Sequence, residues 1–181
     1  MVLTGRLIKL KDPEAKVVFI GPCAAKKLEA SRKSVRSDID FVLTFEEMMG
    51  VFEAKNIDLE AMEEEKEVSE ASRDGRNFAI AGGVAEAVVN CIKKMYPDQE
   101  IKVESAQGLR ECKKLMTLAK AGKYNGYLLE GMACPGGCVA GAGTLQAINK
   151  STMAVKQYAT SADYQYCCDT DYLKDLEELG K

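Results

Sequence analysis

The chain has no histidine. That absence removes Cys-His nucleophilic dyads, histidine-bearing zinc sites and imidazole acid–base catalysis from consideration. Long hydrophobic runs are missing too. No stretch approaches the roughly 18–20 apolar residues that span a bilayer, and no signal peptide opens the sequence. A cytoplasmic protein with no membrane partner is the expectation. Strong basic charge is also lacking: the net charge is -3, which argues against nucleic acid as a partner.

What is present is enough for a packed core. The 181 residues are 46% hydrophobic and 29% charged, the balance of a folded globular chain, and we expect one domain over residues 1–181. There are seven cysteines, an odd number that argues against a fully paired disulfide framework. They are core residues, metal ligands or reactive thiols.

Leu3, Leu7 and Leu10 lie at helical spacing with no capping residue before Met1, as if the helix were entered part-way along. Val17-Val18-Phe19-Ile20 reads as a buried strand that delivers GPCAAKK at its C-terminal end, and Phe41-Val42-Leu43 as another. Thr44-Phe45-Glu46-Glu47 is a capping box opening a helix to about Lys55. The acidic stretch 58–70, extended to 74 as an insertion, predicts a solvated helix or a mobile segment. Residues 72–83 read as a glycine-broken loop, followed by a helix from Val84 to Tyr96 with Val84, Val88, Cys91, Ile92 and Met95 on its apolar face. A strand over 101–104, a helix from Leu109 to about Ala121 and a strand at Tyr127-Leu128-Leu129 follow. The last part, 151–181, predicts a helical tail. Alternating strands and helices make this an α/β protein with a mixed or largely parallel sheet flanked by helices.

Two short stretches carry the chemistry. EGMACPGGC, residues 130–138, places Cys134 and Cys138 around a Pro-Gly-Gly turn. This spacing fits neither the CxxC redox motif nor a short zinc knuckle. Glycine there permits close approach of backbone N–H groups to a ligand, as in iron–sulfur sites. GPCAAKK, residues 21–27, sets Cys23 just before Lys26 and Lys27, whose charge favours a thiolate or offsets an anionic ligand. Both stretches lie beyond the C-terminal ends of strands, where α/β sheets bind ligands. Glu29 and Glu130 flank the motifs, Glu130 with an equally good reading as a carboxylate satisfying backbone N–H groups. Gly141 and Gly143 read as an anion nest or as packing positions.

GPCAAKKLE and EGMACPGGCVAGAG together resemble the second and third cysteine signatures of the iron-only hydrogenases, and GRNFAIAGGVAEAV resembles the glycine loop and helix between them. The likeness runs from residue 1 to about 150. It implies one lobe of a two-lobed catalytic domain that binds the H-cluster, a 4Fe-4S cube joined to a di-iron unit, and interconverts protons and electrons with dihydrogen. By that resemblance Cys23, Cys134 and Cys138 ligate the cube, Cys138 bridges to the di-iron unit, Lys26 bonds one of its cyanides and Met132 lines its pocket. Gly21 stands where the family has methionine, and the first signature, TSCCP, is absent from this chain. The resemblance therefore implies a missing N-terminal half that supplies the fourth ligand, and a ferredoxin-type electron carrier. It also implies an exposed lobe interface open to self-association, and an isolated chain that is apo and inactive. A sensory hydrogenase, an iron–sulfur assembly protein and a zinc-binding module remain alternatives. Cys91 and Cys112 read as core residues, and the Cys167-Cys168 pair as a surface or recruited group.

Overall fold

The computed structural model describes residues 1–63, 71–172 and 174. These fall into two compact units, one comprising residues 1–63 and 141–145 with Lys174, the other residues 71–140 and 146–172.

The first unit begins with helix α1, Val2–Lys11, then strand β1, Val18–Ile20, helix α2, Ala25–Ser31, strand β2, Phe41–Leu43, and helix α3, Phe45–Ala54. β1 and β2 run parallel, pairing Val18 with Phe41 and Ile20 with Leu43. Val17, Val35, Ile39 and Val42 form the core, with Met1, Val2, Phe19 and Ala30 packed against it. The predicted face of α1 is not its buried one. Leu3 and Leu10 are exposed, while Gly5 is buried. A Cβ at Gly5 would lie 2.6 Å from Ile39 Cδ1 and 2.8 Å from the Asp38 carbonyl oxygen. The glycine weakens the isolated helix by roughly 0.5–1 kcal/mol but lets it approach that backbone. Asp40 joins three elements: it accepts from the Val17 N–H at 2.8 Å and pairs with Lys9 at 2.8 Å. The capping box of α3 forms as predicted, with Thr44 and Glu47 bonding reciprocally at 3.2 and 2.8 Å.

Among its described residues the acidic stretch shows a 3-10 turn, Leu59–Ala61, started by Asp58, whose side chain accepts from the Glu60 N–H. Residues 64–70 of that stretch lie outside the described residues.

The second unit opens with helix α4, Arg73–Arg76, and a 3-10 turn, Asn77–Ala79, where the glycines predicted an open loop. Ser72 provides the helix start: its hydroxyl accepts from the Gly75 N–H at 3.0 Å. Helix α5, Gly83–Met95, strand β3, Lys102–Gln107, helix α6, Leu109–Lys120, and strand β4, Tyr127–Met132, follow. β3 and β4 are parallel from Lys102↔Tyr127 to Gln107↔Met132, both longer than predicted. Successive strand residues face opposite sides. The side holding Glu130 meets α5, and the side holding Gly131 meets Cys112 of α6, so helices cover both faces. Short parallel sheets flanked by helices are thus the architecture, as the alternation predicted.

The buried face of α5 differs from expectation. Gly83, Ala85 and Ala87 are buried, whereas Val88 and Met95 are exposed. A Cβ at Gly83 would sit 2.0 Å from the Asn77 carbonyl oxygen. Small residues decide the packing here because the preceding turn crosses the helix too closely for larger ones. Helix α7, Ile148–Thr160, is followed by a 3-10 turn, Cys167–Asp169, and by helical backbone at Tyr172 and Lys174. Of the predicted helical tail, residues 173 and 175–181 lie outside the described part.

Candidate metal centre

Each cysteine motif is a turn at the C-terminal end of a parallel strand, and each is fixed differently. In the second unit β4 hands the chain to Cys134-Pro135-Gly136-Gly137-Cys138. Gly136 and Gly137 both have φ of 97°, in the left-handed region open to glycine. The Gly137 N–H donates to the Cys134 carbonyl at 3.0 Å, and the Ala140 N–H to the Gly137 carbonyl at 3.0 Å. A Cβ on Gly137 would lie 2.5 Å from the Ala81 nitrogen and 2.7 Å from the Ala79 oxygen. The turn therefore rests directly on the backbone of the segment before α5. The Ala81 N–H donates to the Gly136 carbonyl at 3.0 Å and completes that contact.

The glycines were predicted to offer N–H groups to a ligand. Both donate within the protein instead: the Gly136 N–H bonds Gln107 Oε1 at 2.8 Å, and the Gly137 N–H is used inside the turn. Their role is to permit the close backbone crossing and the turn itself. Gln107 was missed in the sequence because nothing local links the end of β3 to the turn after β4.

Glu130 lies one pleat below this turn and is 7% exposed. Its carboxylate accepts from the Gly82 N–H at 2.7 Å and the Ala85 N–H at 3.1 Å, so it caps α5 from the neighbouring strand. A carboxylate at a helix N-terminus meets both unpaired N–H groups and the favourable end of the dipole. Of its two sequence readings, satisfaction of backbone N–H groups is the one observed. Met132 borders a cleft of about 220 Å³ shared with Val84, Ala85, Val88, Leu128 and Glu130. Cys134 is half-buried and Cys138 exposed.

In the first unit the Gly21 N–H donates to the Leu43 carbonyl at 3.0 Å, continuing the strand pairing by one residue. The Lys26 N–H bonds the Cys23 carbonyl at 3.2 Å and starts α2. Gly143 seals the other side. Its N–H donates to the Pro22 carbonyl at 3.1 Å, and a Cβ there would meet Thr44 Cβ at 2.5 Å. Packing, rather than an anion nest, accounts for that glycine. Lys26 Nζ pairs with Glu29 at 2.5 Å, and Lys27 Nζ with Glu47 at 2.8 Å and the Val42 carbonyl at 3.0 Å. The hydrogen bond from Lys27, and then the bond from the Thr44 N–H, hold the Glu47 carboxyl below its usual range. Cys23 is half-buried and free.

The structure thus brings Met132, Cys134 and Cys138 together on one strand and turn, and Cys23 with Lys26 on another. Among the described residues no three Cys, Asp or Glu side chains are gathered in a manner that could hold a metal ion. The donor chemistry nevertheless fits a soft, thiophilic group: cysteine thiols flank a glycine turn, with no imidazole anywhere in the chain. Cys112 sits behind the sheet, its Sγ 3.5 Å from the carbonyl oxygens of Ala106 and Met132, and serves packing. No helix of the described residues is long and apolar enough to cross a membrane.

Comparison with known proteins agrees with this arrangement. The chain is 28% identical over 184 residues to the periplasmic Fe hydrogenase large subunit of Nitratidesulfovibrio vulgaris, covering 80% of this chain and 44% of the relative. It is also 28% identical over 109 residues to the cytosolic Fe-S cluster assembly factor NAR1 of Kluyveromyces lactis, covering 55% of this chain and 23% of that protein. The chain spans less than half the length of these curated relatives. A variant of the FeFe hydrogenase HydA1 from Chlamydomonas reinhardtii shares the fold, with a TM-score of 0.67 at 19% identity, over 98% of this chain and 62% of that one. The model of the family described as iron only hydrogenase large subunit, C-terminal domain, matches residues 1–142, which hold both cysteine turns, and the chain belongs to that family.

Proposed function

We propose that this chain forms the C-terminal part of an H-cluster domain and contributes Cys23, Cys134 and Cys138 as ligands of a 4Fe-4S cube. The observation that carries this reading is the placement of both cysteine turns at C-terminal strand ends within the stretch matched by the family model. Such a cluster with its di-iron unit supplies the electron transfer and dihydrogen chemistry of the parent enzyme. The protein's own part is positional. Two backbone-fixed glycines present Cys134 and Cys138, which would both hold the cluster, Cys138 on the side of the di-iron unit. Met132 adds an apolar wall, and Lys26 turns from Glu29 to place a cation beside an anionic ligand. The fourth thiolate and the proton relay come from a missing N-terminal half, electrons from a ferredoxin-type carrier, and the working compartment is the cytoplasm. Without the partner half the chain is apo and turns over no dihydrogen, and its uncovered surface self-associates.

Anaerobic reconstitution of the chain joined to its partner half, with iron and sulfide, tests the ligand set. Iron and acid-labile sulfide should bind in matching amounts and be lost in Cys134→Ser and Cys23→Ser. Stoichiometric zinc without sulfide would overturn the cluster assignment, and dihydrogen evolution by the chain alone would overturn its dependence on a second half. The likeness to the assembly factor favours a second reading, a cluster protein without high hydrogen turnover. Infrared bands of CO and cyanide in the loaded, complete protein separate the readings: present for a catalytic or sensory hydrogenase, absent for an assembly protein.

A further inference from the structure

The turn after β4 is restrained from outside at a single peptide group. Cys134 to Gly137 form a turn closed by the Gly137 N–H, which donates to the Cys134 carbonyl at 3.0 Å. Pro135 and Gly136 hold its two central positions, and the φ of 97° at Gly136 is that of the type II form. Types I and II both accept proline first and differ by rotation of the peptide between the two central residues. That rotation reverses the bearing of the Pro135 carbonyl and the Gly136 N–H. The Gly136 N–H donates to Gln107 Oε1 at 2.8 Å, so Gln107 grips the group that the rotation would move. Gln107 is itself held. It closes the parallel ladder opposite Met132, and the N–H of the next residue, Gly108, donates to the Met132 carbonyl at 2.8 Å. A Cβ on Gly108 would lie 3.8 Å from Pro135 Cγ, so the end of β3 passes alongside the turn. On the other flank the Ala81 N–H donates to the Gly136 carbonyl at 3.0 Å. Loss of the Gln107 amide therefore leaves the turn closed and anchored and frees one peptide. Gln107 is exposed, and its replacement empties no core space.

We propose that Gln107 is a positioning residue for the thiolates of Cys134 and Cys138. It latches the Pro135–Gly136 peptide, withholds the Gly136 N–H from both sulfurs, and so keeps low the reduction potential of the group they hold. The inference rests on the cluster reading of those cysteines given above. The Gly137 N–H is spent inside the turn, whereas the Gly136 N–H is restrained by a side chain. An N–H donor beside a thiolate stabilises the reduced, more negative state more than the oxidised one and raises the potential. Releasing the latch makes that donor available to the sulfurs.

The test uses the complete protein, this chain joined to its partner half. Before loading, hydrogen exchange at the Gly136 amide should be slow in the wild type and in Gln107→Glu, whose carboxylate still accepts the bond, and fast in Gln107→Leu. After anaerobic loading with iron and sulfide, potentiometric titration followed by the electron paramagnetic resonance signal of the reduced cube gives the midpoint. Gln107→Leu should raise it by the equivalent of about a tenfold gain in the reduced-to-oxidised ratio, about 59 mV for a one-electron couple. Gln107→Glu should not raise it. A bond that only braces the fold would lower the denaturation midpoint of Gln107→Leu and leave its potential unmoved, and that result would overturn the proposal. Fast exchange at Gly136 in the wild type, or an equal rise in Gln107→Glu, would do the same. A wild-type protein that takes up no iron and sulfide would overturn the cluster reading together with this inference. An unmoved potential in a loaded Gln107→Leu overturns the latch alone.

Discussion

The turns around Cys23 and around Cys134–Cys138 occupy equivalent places at strand ends but are held by different forces. Ion pairs on half-exposed side chains, Lys26 with Glu29 and Lys27 with Glu47, brace the first. Backbone hydrogen bonds, a left-handed glycine pair and the buried carboxylate of Glu130 hold the second. Exposed ion pairs contribute little and are screened by salt. Buried, fully bonded groups are costly to disturb. The first turn is therefore adjustable by charge and the second only by shape.

The largest break in that contrast should come from Gly137→Ala. A methyl group 2.5 Å from the Ala81 nitrogen, at φ 97°, must move backbone, and overpacking with left-handed strain costs roughly 2–5 kcal/mol. Chemical denaturation should show this loss, and an unchanged midpoint would place the turn away from residues 79–81. Glu130→Gln comes next. One amide oxygen can serve one N–H, while the amide's own N–H₂ meets the other donor, so about 1–3 kcal/mol is lost. Hydrogen exchange at Gly82 and Ala85 should rise by the matching factor. Thr44→Ala removes one half of the α3 capping box and should lower stability by about 1 kcal/mol.

Acid should act on the first unit with the opposite selectivity. Lys9, then the Val17 N–H, hold the Asp40 carboxyl below its ordinary value, and Lys27 does the same for Glu47. The folded-state values are depressed, so this stabilisation is complete above the ordinary carboxylate range of about pH 4–5. It is lost as pH falls through the folded-state values. Exchange protection around Val17 and Thr44 should fall in that window, more in low salt than in high. Equal behaviour at both salt concentrations would contradict the charge-based account of this turn. Lys27→Met should have the smallest effect on stability and should flatten that acid response around Thr44.

The parts of the fold that were legible in the sequence are those settled within a few residues. Val17–Ile20 and Phe41–Leu43 declare themselves as strands by continuous apolar character, although Val18, Ile20 and Phe41 are exposed where burial was expected, and Thr44–Glu47 declares itself by a local reciprocal bond. The α4 helix was hidden by glycine although its signal, Ser72 ahead of Gly75, was present. The face of α5 could not be read, because periodicity ranks Val88 and Met95 above Gly83 and Ala87. A backbone crossing by Asn77 reverses that order, and no local pattern encodes a crossing. At the candidate site, Cys23, Cys134 and Cys138 stood out by their glycine and lysine neighbours. The bond from the Gly136 N–H to Gln107 joins chain segments far apart in sequence, and only the folded structure displays it.

The support beneath Gly136 and Gly137 has a thermodynamic corollary for any thiophilic ion. Ordering a free loop costs roughly 1–2 kcal/mol per residue, and in this turn that ordering accompanies folding rather than capture. A soft cation that reaches the exposed Cys138 finds Cys134 on the same short, braced turn, at the high effective molarity of an intramolecular chelate. The pair should behave as one bidentate ligand, with a release rate set by the simultaneous loss of both sulfurs rather than of either alone.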